Sequence, residues 1–513
     1  MVGTLPLSNI MPDEHAVILG KQLLDLVATG MYSNPLMVIR EYIQNATDSL
    51  DQAISSKLIS EKDAHIAVTV EGETRNISIE DNGLGVPQKG IQRTLLSIGA
   101  SQKNQATNRG FRGIGRLGGL GYCDKLIFET RSSEHDPVVV ISWDSKSIME
   151  LLSRKDIVEA KEVIAKAVQI KTENQDNAPS HFFRVQMINV HRFHQDWLMD
   201  NKKIRNYISQ IAPVPYDSNN FDMAVTLIDY LTIIPGFKHY FITLNNEPIY
   251  RPYQNSFNVS QQVVDSIQGI ELFEILGQDN ALIGRGWYAK TGYLASLSST
   301  NPMRGIRIRQ GNIEVGDEYF LAEQYSERRF ATWHIGEIHL APSLRPNARR
   351  DGFEPGPEYE RFLEYAYSIG KHLSRLCRES SSQRSAFLSL DRKIKNVQIL
   401  LSGSIVLDQD HFEILCRKID ADLLYIEKAV CSIGSSNGIK KRLTELRCDF
   451  ANYRNSPPFL IDCLDGRSLR HQNRKDLLCE ICKRLIADQE SGKPLEQRLS
   501  VILSPYLRTT CKK

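Results

Sequence analysis

One stretch of the sequence, LMVIREYIQNATDSL at residues 36–50, places a carboxylate and an amide one helical turn apart. At 100° per residue, Glu41, Asn45 and Asp48 fall on one side of the predicted helix. The apolar residues form a stripe on the opposite side: Leu36, Ile39, Ile43, Ala46 and Leu50. An amide oxygen is a hard ligand for Mg²⁺, and a carboxylate can polarise an attacking water. Taken alone, the segment fits either a solvated helix face or a site for a metal-bound phosphate.

A second motif, IEDNGLGV at residues 79–86, takes Asp81 out of a predicted strand and into G-x-G. Asp81 is placed to accept a hydrogen bond from an exocyclic amine. Gly83 and Gly85 would let the backbone approach a flat ring closely. An ordinary tight turn, in which glycine supplies a positive φ, accounts for the same residues.

A third segment, residues 97–121, is rich in glycine and contains G-x-x-G-x-G at Gly110, Gly113 and Gly115. A glycine loop that enters a helix exposes backbone N–H groups to phosphates. The segment also carries positive charge on three side chains, Lys103, Arg109 and Arg112. The spacing is neither a Walker A motif nor the dinucleotide fingerprint, and no G-K-[ST] occurs, so a P-loop is excluded.

Alternating and helical patterns predict the elements that would position these motifs. Helices are expected at residues 15–30 and 36–53, paired strands at 64–72 and 74–83, and a mobile loop over 97–121. Further strands are expected at 124–131, 137–143 and 182–190. A second unit of strands and helices runs from 196 to 378, the polar run 379–385 reads as a linker, and 386–513 is mostly helical. The predicted fold is α/β (α+β) with domains at 1–195, 196–378 and 386–513.

The order of the three motifs resembles the nucleotide-binding domain of the GHKL ATPases, which include gyrase, heat shock protein 90 chaperones, histidine kinases and MutL. The lead-in YSN and the pair Arg40–Glu41 are most similar to the heat shock protein 90 (HtpG-like) chaperones, and GFRG at residues 110–113 resembles MutL as well. The resemblance covers residues 15–130. It implies a Bergerat-type α/β sandwich that holds ATP beneath a lid, a chaperone-like α/β middle domain and a small helical C-terminal domain.

The resemblance also implies roles for individual residues. Glu41 would be the general base with Arg40 as its catalytic neighbour, Asn45 would bind Mg²⁺, and Asp81 would bind the adenine amine. Gly83 and Gly85 would line the base pocket. The other nucleotide-binding positions implied are Asp48, Asn82, Lys103, Gly110, Phe111, Arg112, Gly113, Ile114 and Gly115. The chaperones carry Gly-Thr before the last strand, and this threonine supports the adenine-binding aspartate. This chain has PSHFFRV there, so Ser180 is expected to replace the threonine in supporting Asp81.

A later segment, WHIGEIHLAPSLRPNARRDGFE at residues 333–354, resembles a strand and loop of the chaperone middle domain. The resemblance places Asn347 and Arg350 at functional positions, with Arg349 as a rival to Arg350. A guanidinium delivered onto a γ-phosphate stabilises the charge that develops there. A basic surface turn is the alternative interpretation of the same residues.

Composition limits the class of protein. The 513 residues hold 63 Lys+Arg and 61 Asp+Glu, so the net charge is only +2, which argues against a protein dominated by phosphate contacts. Residues 381–513 have 23 basic and 16 acidic residues, giving +7, and 40 − 45 leaves −5 for residues 1–380. The start of the chain lacks the pattern of a signal peptide, and no stretch approaches the ~20 apolar residues of a membrane span. The nine cysteines predict reduced thiols in the cytoplasm, with Cys479 and Cys482 as two core residues of a helix rather than a metal site.

Three functions remain open from the sequence. The first is an ATP-driven clamp of the heat shock protein 90 type, a homodimer that hydrolyses ATP with Mg²⁺ and remodels a client or partner protein away from membranes. The second is a DNA-linked clamp of the mismatch-repair or chromatin-compacting kind, favoured by the basic tail. The third is a scaffold that binds nucleotide without hydrolysing it.

Overall fold

The computed structural model describes residues 34–96, 115–133, 135–154, 159–175, 177–192, 194–277, 279–347, 350–403, 409–433 and 437–455. The chain divides into two compact units, Met1–Cys377 and Arg378–Lys513. In the first unit, mixed α/β structure is built on two sheets. The described part of the second unit is helical. The α/β fold class expected from the sequence is therefore confirmed.

The α-helices within these residues are α1 (Met37–Ser55), α2 (Ser145–Ser153), α3 (Ala160–Ala167), α4 (Asn201–Ile211), α5 (Ala224–Leu231), α6 (Pro357–Gly403), α7 (Gln409–Ile433) and α8 (Asn437–Asn455). The first seven strands are β1 (His65–Glu71), β2 (Asn76–Asp81), β3 (Cys123–Arg131), β4 (Val138–Asp144), β5 (Val168–Glu173), β6 (Phe182–Val190) and β7 (Phe241–Leu244). The other seven are β8 (Glu247–Pro248), β9 (Ser256–Asn258), β10 (Val264–Leu276), β11 (Leu282–Thr291), β12 (Gly305–Gln310), β13 (Ile313–Val315) and β14 (Ile335–Leu340).

The first sheet has the strand order β5-β4-β3-β6-β2-β1-β7-β8. Its neighbours are antiparallel except β1 and β7, which run parallel with His65 opposite Phe241. Alternate residues of each inner strand face a core shared with α1, as in β2, where Ile77, Ile79 and Asp81 are the buried positions. Asp81 is thus the last residue of a central strand on its buried face.

Helix α1 packs against this sheet because its apolar stripe recurs at helical spacing. Ile39, Ile43 and Leu50 are fully buried, and each such side chain contributes roughly 1.5–3 kcal/mol on burial. The helix begins where Asn34 accepts a hydrogen bond from the Leu36 N–H at 3.0 Å, and Pro35 pre-sets the backbone of the first turn. This agrees with the helix predicted over residues 36–53.

The second sheet has the order β13-β12-β14-β11-β10-β9, with β12 and β14 parallel. One face packs on the first part of α6 through residues such as Phe362 and Leu373, and the other packs on α5 through residues such as Leu227. Two ionisable pairs cross its centre. Arg309 lies 2.6 Å from Glu337, and His339 lies 2.9 Å from the same carboxylate.

The second unit contains the end of α6 followed by α7 and α8 in its described residues. These helices share one apolar core, to which each contributes buried side chains: Leu390, Ile394, Val397, Ile419, Leu423, Ile426, Leu446 and Phe450. The helical C-terminal region expected from the sequence is confirmed for this part of the chain.

Two expectations about local structure need correction. Residues 379–385, expected as a linker, lie within α6, because Ser, Gln and Arg lower helix stability only slightly and no Gly or Pro interrupts the run. Gly115–Gly121, expected in a mobile loop, form a 3₁₀ helix because Leu117 and Leu120 are buried in the core.

Some predictions fall on residues outside those described, namely the helix at 15–30, the loop at 97–114 and the C-x-x-C at Cys479 and Cys482. The five cysteines in the described residues form no disulfide; Cys123, Cys377 and Cys416 are buried, and Cys431 and Cys448 are exposed. In the part of the chain that the structure describes, no helix has the length and apolar character needed to cross a membrane.

Two buried imidazoles make the stability of this fold dependent on pH. Burial lowers the pKa of His334 to about 4 and the pKa of His339 to about 4, against about 6.5 in the unfolded chain. Between these values the unfolded state binds more protons, so the free energy of unfolding should fall as the pH drops from about 6.5 towards 4. Each imidazole contributes at most about 3.5 kcal/mol, at about 1.4 kcal/mol per pKa unit.

Urea denaturation at a series of pH values measures this effect. The variant His334→Gln, which cannot titrate and keeps a polar group beside the Cys377 thiol, should show a shallower decline than the wild type. An identical decline in both proteins would contradict the assignment to His334.

Candidate active site

The exposure of α1 marks one line of side chains as accessible. Every residue from Val38 to Leu50 is buried except three, Glu41, Asn45 and Ser49, which are half-buried and stand one turn apart. Buried polar side chains, among them Gln44 and Asp48, lie on the rest of the helix. The helix is therefore covered on almost all sides and opens along one polar line.

This corrects two expectations. A solvated helix face is wrong for this segment, because solvent reaches only the line of Glu41, Asn45 and Ser49. Asp48 is 2% exposed rather than part of the accessible line, and Ser49 takes its place there. A narrow polar line in a buried surface is typical of a binding site rather than of a helix facing bulk water.

The loop after Asp81 is fixed against α1. The Gly83 N–H donates to Asp81 Oδ1 at 3.0 Å, and the Leu84 N–H donates to Ser49 Oγ at 3.1 Å. A Cβ atom on Gly83 would collide with Ser49 and would come within 2.7 Å of Asp81 Oδ1. The loop can approach α1 this closely only because residue 83 is glycine.

The other side of the same loop rests on β3 and β6. Thr130 Oγ1 accepts a hydrogen bond from the Val86 N–H at 2.7 Å and donates to the Phe182 carbonyl at 3.0 Å. Gly85 has φ +63°, and a side chain there would collide with the Arg131 carbonyl. His181 Nδ1 lies 2.9 Å from the Gly83 carbonyl oxygen. The loop is thus held from α1 and from the end of the sheet.

The end of the glycine-rich segment meets α1 at Glu41. A Cβ atom on Gly115 would collide with the Glu41 carboxylate, so the two residues are in contact. Four residues further along the same 3₁₀ helix, the Gly119 N–H donates to the Tyr42 hydroxyl at 3.0 Å. The structure therefore brings Gly115 to the residue predicted as the general base.

Arg40, the neighbour of Glu41, reaches the second sheet. Its guanidinium donates to the backbone carbonyl of Glu314 in β13, and Nη2 lies 3.4 Å from the carbonyl oxygen of Arg350. Arg350 is buried, with φ +52°, and its carbonyl also accepts from the Gly316 N–H at 2.7 Å. Arg350 and Arg40, far apart in sequence, therefore lie together.

Charged and hydroxyl groups surround this junction. The Glu314 carboxylate lies 2.7 Å from Arg307 in a buried pair, which fixes the strand whose carbonyl Arg40 contacts. Tyr207 of α4 lies beside Arg40, and burial raises the pKa of Tyr207 to about 12, so that hydroxyl stays neutral at physiological pH.

At the other end of α1, Asp51 accepts a hydrogen bond from the Tyr240 hydroxyl and lies 3.1 Å from Lys238.

The polar line of α1, the loop after Asp81 and Gly115 together form what we call the cleft. Two predicted site residues lie away from it. Asn82 turns its side chain to the start of β1, accepting from the His65 N–H at 2.9 Å and donating to the Asp63 carbonyl at 2.7 Å. Ser180 is exposed, and its neighbour His181 makes the contact to the loop instead. Predicted positions outside the described residues are Lys103, Gly110, Phe111, Arg112, Gly113, Ile114 and Arg349.

The donor groups of the cleft fit a magnesium nucleotide. Glu41 and Asn45 offer hard oxygen ligands on adjacent turns, which is the chemistry that Mg²⁺ prefers. Among the described residues, no group of three or more His, Cys, Asp or Glu side chains could hold a metal ion by itself. Such a site suits an ion that keeps phosphate oxygens and waters as its remaining ligands.

Three residues near the cleft were missed from the sequence: Ser49, Thr130 and His181. Ser49 follows Asn45 by one turn, so the helical spacing that singled out Glu41 and Asn45 could have found it. Thr130 and His181 carry no local signal, because they reach the loop only through the pairing of β3 with β6.

Comparison with known proteins shows what this part of the chain is similar to. Residues 32–177 match the family described as "Histidine kinase-, DNA gyrase B-, and HSP90-like ATPase". The matched region contains α1, the Asp81 loop and Gly115. The resemblance to the GHKL ATPases predicted from the sequence is confirmed over these residues.

Curated relatives match about a quarter of the chain. "Chaperone protein HtpG" of Nitrosococcus oceani is 29% identical over 143 residues, which are 24% of this chain and 23% of that protein. The proteins of the same name from Cupriavidus taiwanensis and Polaromonas naphthalenivorans are 30% and 29% identical over 143 and 147 residues. The chain thus spans less than a quarter of the length of the curated relatives it matches.

The close approach of Gly83 to α1 predicts a cost for any side chain at this position. In Gly83→Ala the added methyl meets Ser49 and Asp81, and we expect the free energy of unfolding to fall by about 1–3 kcal/mol, as overpacking does. Urea denaturation followed by circular dichroism measures it. Gly72→Ala is the matched control, because a Cβ there has open space around it and should change stability by less than about 0.5 kcal/mol. Equal midpoints for the two variants would show that the loop does not pack as described.

Proposed function

We propose that this chain, whose residues 32–177 match the GHKL-type ATPase family, is an ATP-driven conformational clamp that hydrolyses ATP to ADP and phosphate and acts on a client or partner protein. The family match supports nucleotide chemistry. The printed name of the relatives, a chaperone protein, supports action on other proteins.

The observation that carries the proposal is the accessible polar line of α1. Glu41, Asn45 and Ser49 are the half-buried residues of an otherwise buried stretch, and each meets a different part of the cleft. Glu41 contacts Gly115, Ser49 holds the loop after Asp81, and Asn45 lies between them. A ligand lying along this line would have phosphate-binding groups at the Glu41 end and a base-binding group at the Ser49 end.

At the phosphate end, we assign Glu41 as the general base that accepts a proton from the attacking water. Asn45 would ligate Mg²⁺, which supplies charge neutralisation at the phosphates. Backbone N–H groups of the segment with Gly110, Gly113 and Gly115 would face the phosphates, with Lys103 and Arg112 adding charge. Phe111 and Ile114 belong to the same segment.

At the base end, Asp81 would accept a hydrogen bond from the exocyclic amine of adenine. Because Asp81 is buried at the end of β2, a base that offers no amine at this position would leave the desolvated carboxylate without that hydrogen bond. Gly83 and Gly85 would form the wall against which the ring lies. Asp48 and Ser180 were implied by the resemblance as further positions; Ser180 lies exposed and is the weaker of the two.

Arg350 is the residue that would connect the nucleotide to the second sheet. Its backbone already lies against Arg40, next to the general base. We assign its guanidinium, or that of Arg349, to the γ-phosphate, where it would stabilise developing charge and distinguish ATP from ADP. Asn347 belongs to the same loop and donates to Asp351 at 2.6 Å.

The clamp motion, the lid, pairing of N-terminal domains in a homodimer and remodelling of a client are part of the proposal. ATP must bind the closed state better than the open one for such a cycle to move anything. The division into an ATPase domain, a middle domain and a helical C-terminal domain, and the cytoplasmic location, remain predictions from the sequence.

A second candidate function is a DNA-linked clamp of the mismatch-repair or chromatin-compacting kind. The observation that favours it is the excess of basic residues in 381–513, +7 against −5 for the rest. Phosphate contacts would make any effect of DNA on ATP hydrolysis weaken steeply with salt.

ATPase rates of three variants test the mechanism. Glu41→Ala removes the general base and should lower kcat by about 10²-fold or more. Arg350→Ala should lower kcat by about 10³-fold if its guanidinium reaches the γ-phosphate, and Arg349→Ala should do so instead if the neighbour does. Each protein is measured with Mg-ATP, with and without duplex DNA at low and high salt.

Glu73→Ala and Arg328→Ala are the matched controls, because both residues are exposed, carry the same charges and are assigned no part in the site. Normal hydrolysis in Glu41→Ala and in both arginine variants would overturn the mechanism. A Glu41→Ala protein that keeps its cellular function would point to a scaffold that binds nucleotide without hydrolysing it. Strong, salt-sensitive stimulation by DNA would favour the second candidate over the first.

A further inference from the structure

His181, the residue before β6, is in contact with the nucleotide loop. Its Nδ1 lies 2.9 Å from the carbonyl oxygen of Gly83. A carbonyl oxygen can only accept, so Nδ1 must carry the proton and donate. The contact is therefore a hydrogen bond from the His181 side chain to the Gly83 carbonyl of the loop.

The peptide group between Gly83 and Leu84 is held at both of its polar atoms. His181 donates to its carbonyl oxygen, and its N–H donates to Ser49 Oγ at 3.1 Å. The preceding N–H, that of Gly83, donates to Asp81 Oδ1 at 3.0 Å. The orientation of the Asp81 carboxylate therefore depends on a loop fixed on one side by α1 and on the other by His181.

We propose that His181 is a positioning residue for Asp81, and that it sets the affinity and base selectivity of the nucleotide site through the Gly83 carbonyl. This inference rests on the proposed ATPase function and extends it to a residue beside Ser180 to which the resemblance gives no role. His181 is half-buried at the position next to Ser180, which was expected to support Asp81 and is exposed instead.

A residue that orients a base-binding group acts on the bound substrate and on the transition state alike. Removing it should therefore raise KM while leaving kcat nearly unchanged. It should also weaken the preference for ATP over GTP. A misoriented Asp81 would form a weaker hydrogen bond with the adenine amine, so the difference in binding free energy between adenine and guanine would become smaller. Loss of one such hydrogen bond corresponds to roughly a three- to tenfold change.

Two substitutions separate the donor from the ring. His181→Phe keeps a flat side chain and removes the N–H, and it should raise the KM for ATP and the Kd for ADP by about three- to tenfold with kcat within about twofold. His181→Asn offers an amide N–H close to the position of Nδ1 and should recover most of the affinity. ATP and GTP hydrolysis kinetics, together with calorimetric titration of ADP, give these values.

His191→Phe is the matched control. This histidine follows the other end of β6, is about half exposed, and contacts Asp124 at 2.8 Å away from the loop. It should leave KM, kcat and the ATP-to-GTP ratio unchanged.

Unchanged KM and base preference in His181→Phe would overturn the inference while leaving ATP hydrolysis by the wild type intact. Equal losses in His181→Phe and His181→Asn, accompanied by equal drops in urea midpoint, would also overturn it, since that pattern denotes a structural role. A wild-type protein that neither binds ADP nor hydrolyses ATP would refute the proposed function itself, and this outcome is distinct from the other two.

Discussion

Helix α1 is buried on almost every side and still leaves one polar line accessible, and the candidate site depends on this combination. The first sheet packs against its apolar stripe, the 3₁₀ helix Gly115–Gly121 and α4 pack on other sides, and the Arg40 side chain reaches β13 of the second sheet. Polar groups that face the protein are held by specific partners, as Arg40 is by the Glu314 carbonyl. Such contacts are needed because a buried polar group without a partner costs about 1–3 kcal/mol.

This burial links the cleft to the rest of the first unit. Arg40 touches β13 and the backbone of Arg350, and Asp51 touches Lys238 and Tyr240 just before β7 joins the first sheet. A nucleotide that moved α1 would therefore strain contacts at both ends of the helix. Since packed interfaces change in discrete steps rather than continuously, these contacts are the route by which ATP could switch the proposed clamp.

Local sequence patterns predicted the individual helices and strands. They could not predict the contacts that arise when segments distant in sequence pair with one another. The helix at 36–53 and the strands around Asp81 were predictable because their apolar spacing repeats within a few residues. The parallel pairing of β1 with β7, and the contacts of Thr130 and His181 with the loop, join residues far apart in sequence and have no local signal. The linker expected at 379–385 failed because polar composition alone does not end a helix.

The central claim is that a magnesium nucleotide lies along Glu41, Asn45 and Ser49. Calorimetric titration of ATP into the wild type and Asn45→Ala, each with and without Mg²⁺, tests it most directly. We expect Mg²⁺ to tighten ATP binding to the wild type, and Asn45→Ala to lose most of this gain but to bind metal-free ATP normally. An equal gain from Mg²⁺ in both proteins, or no ATP binding to the wild type, would contradict it.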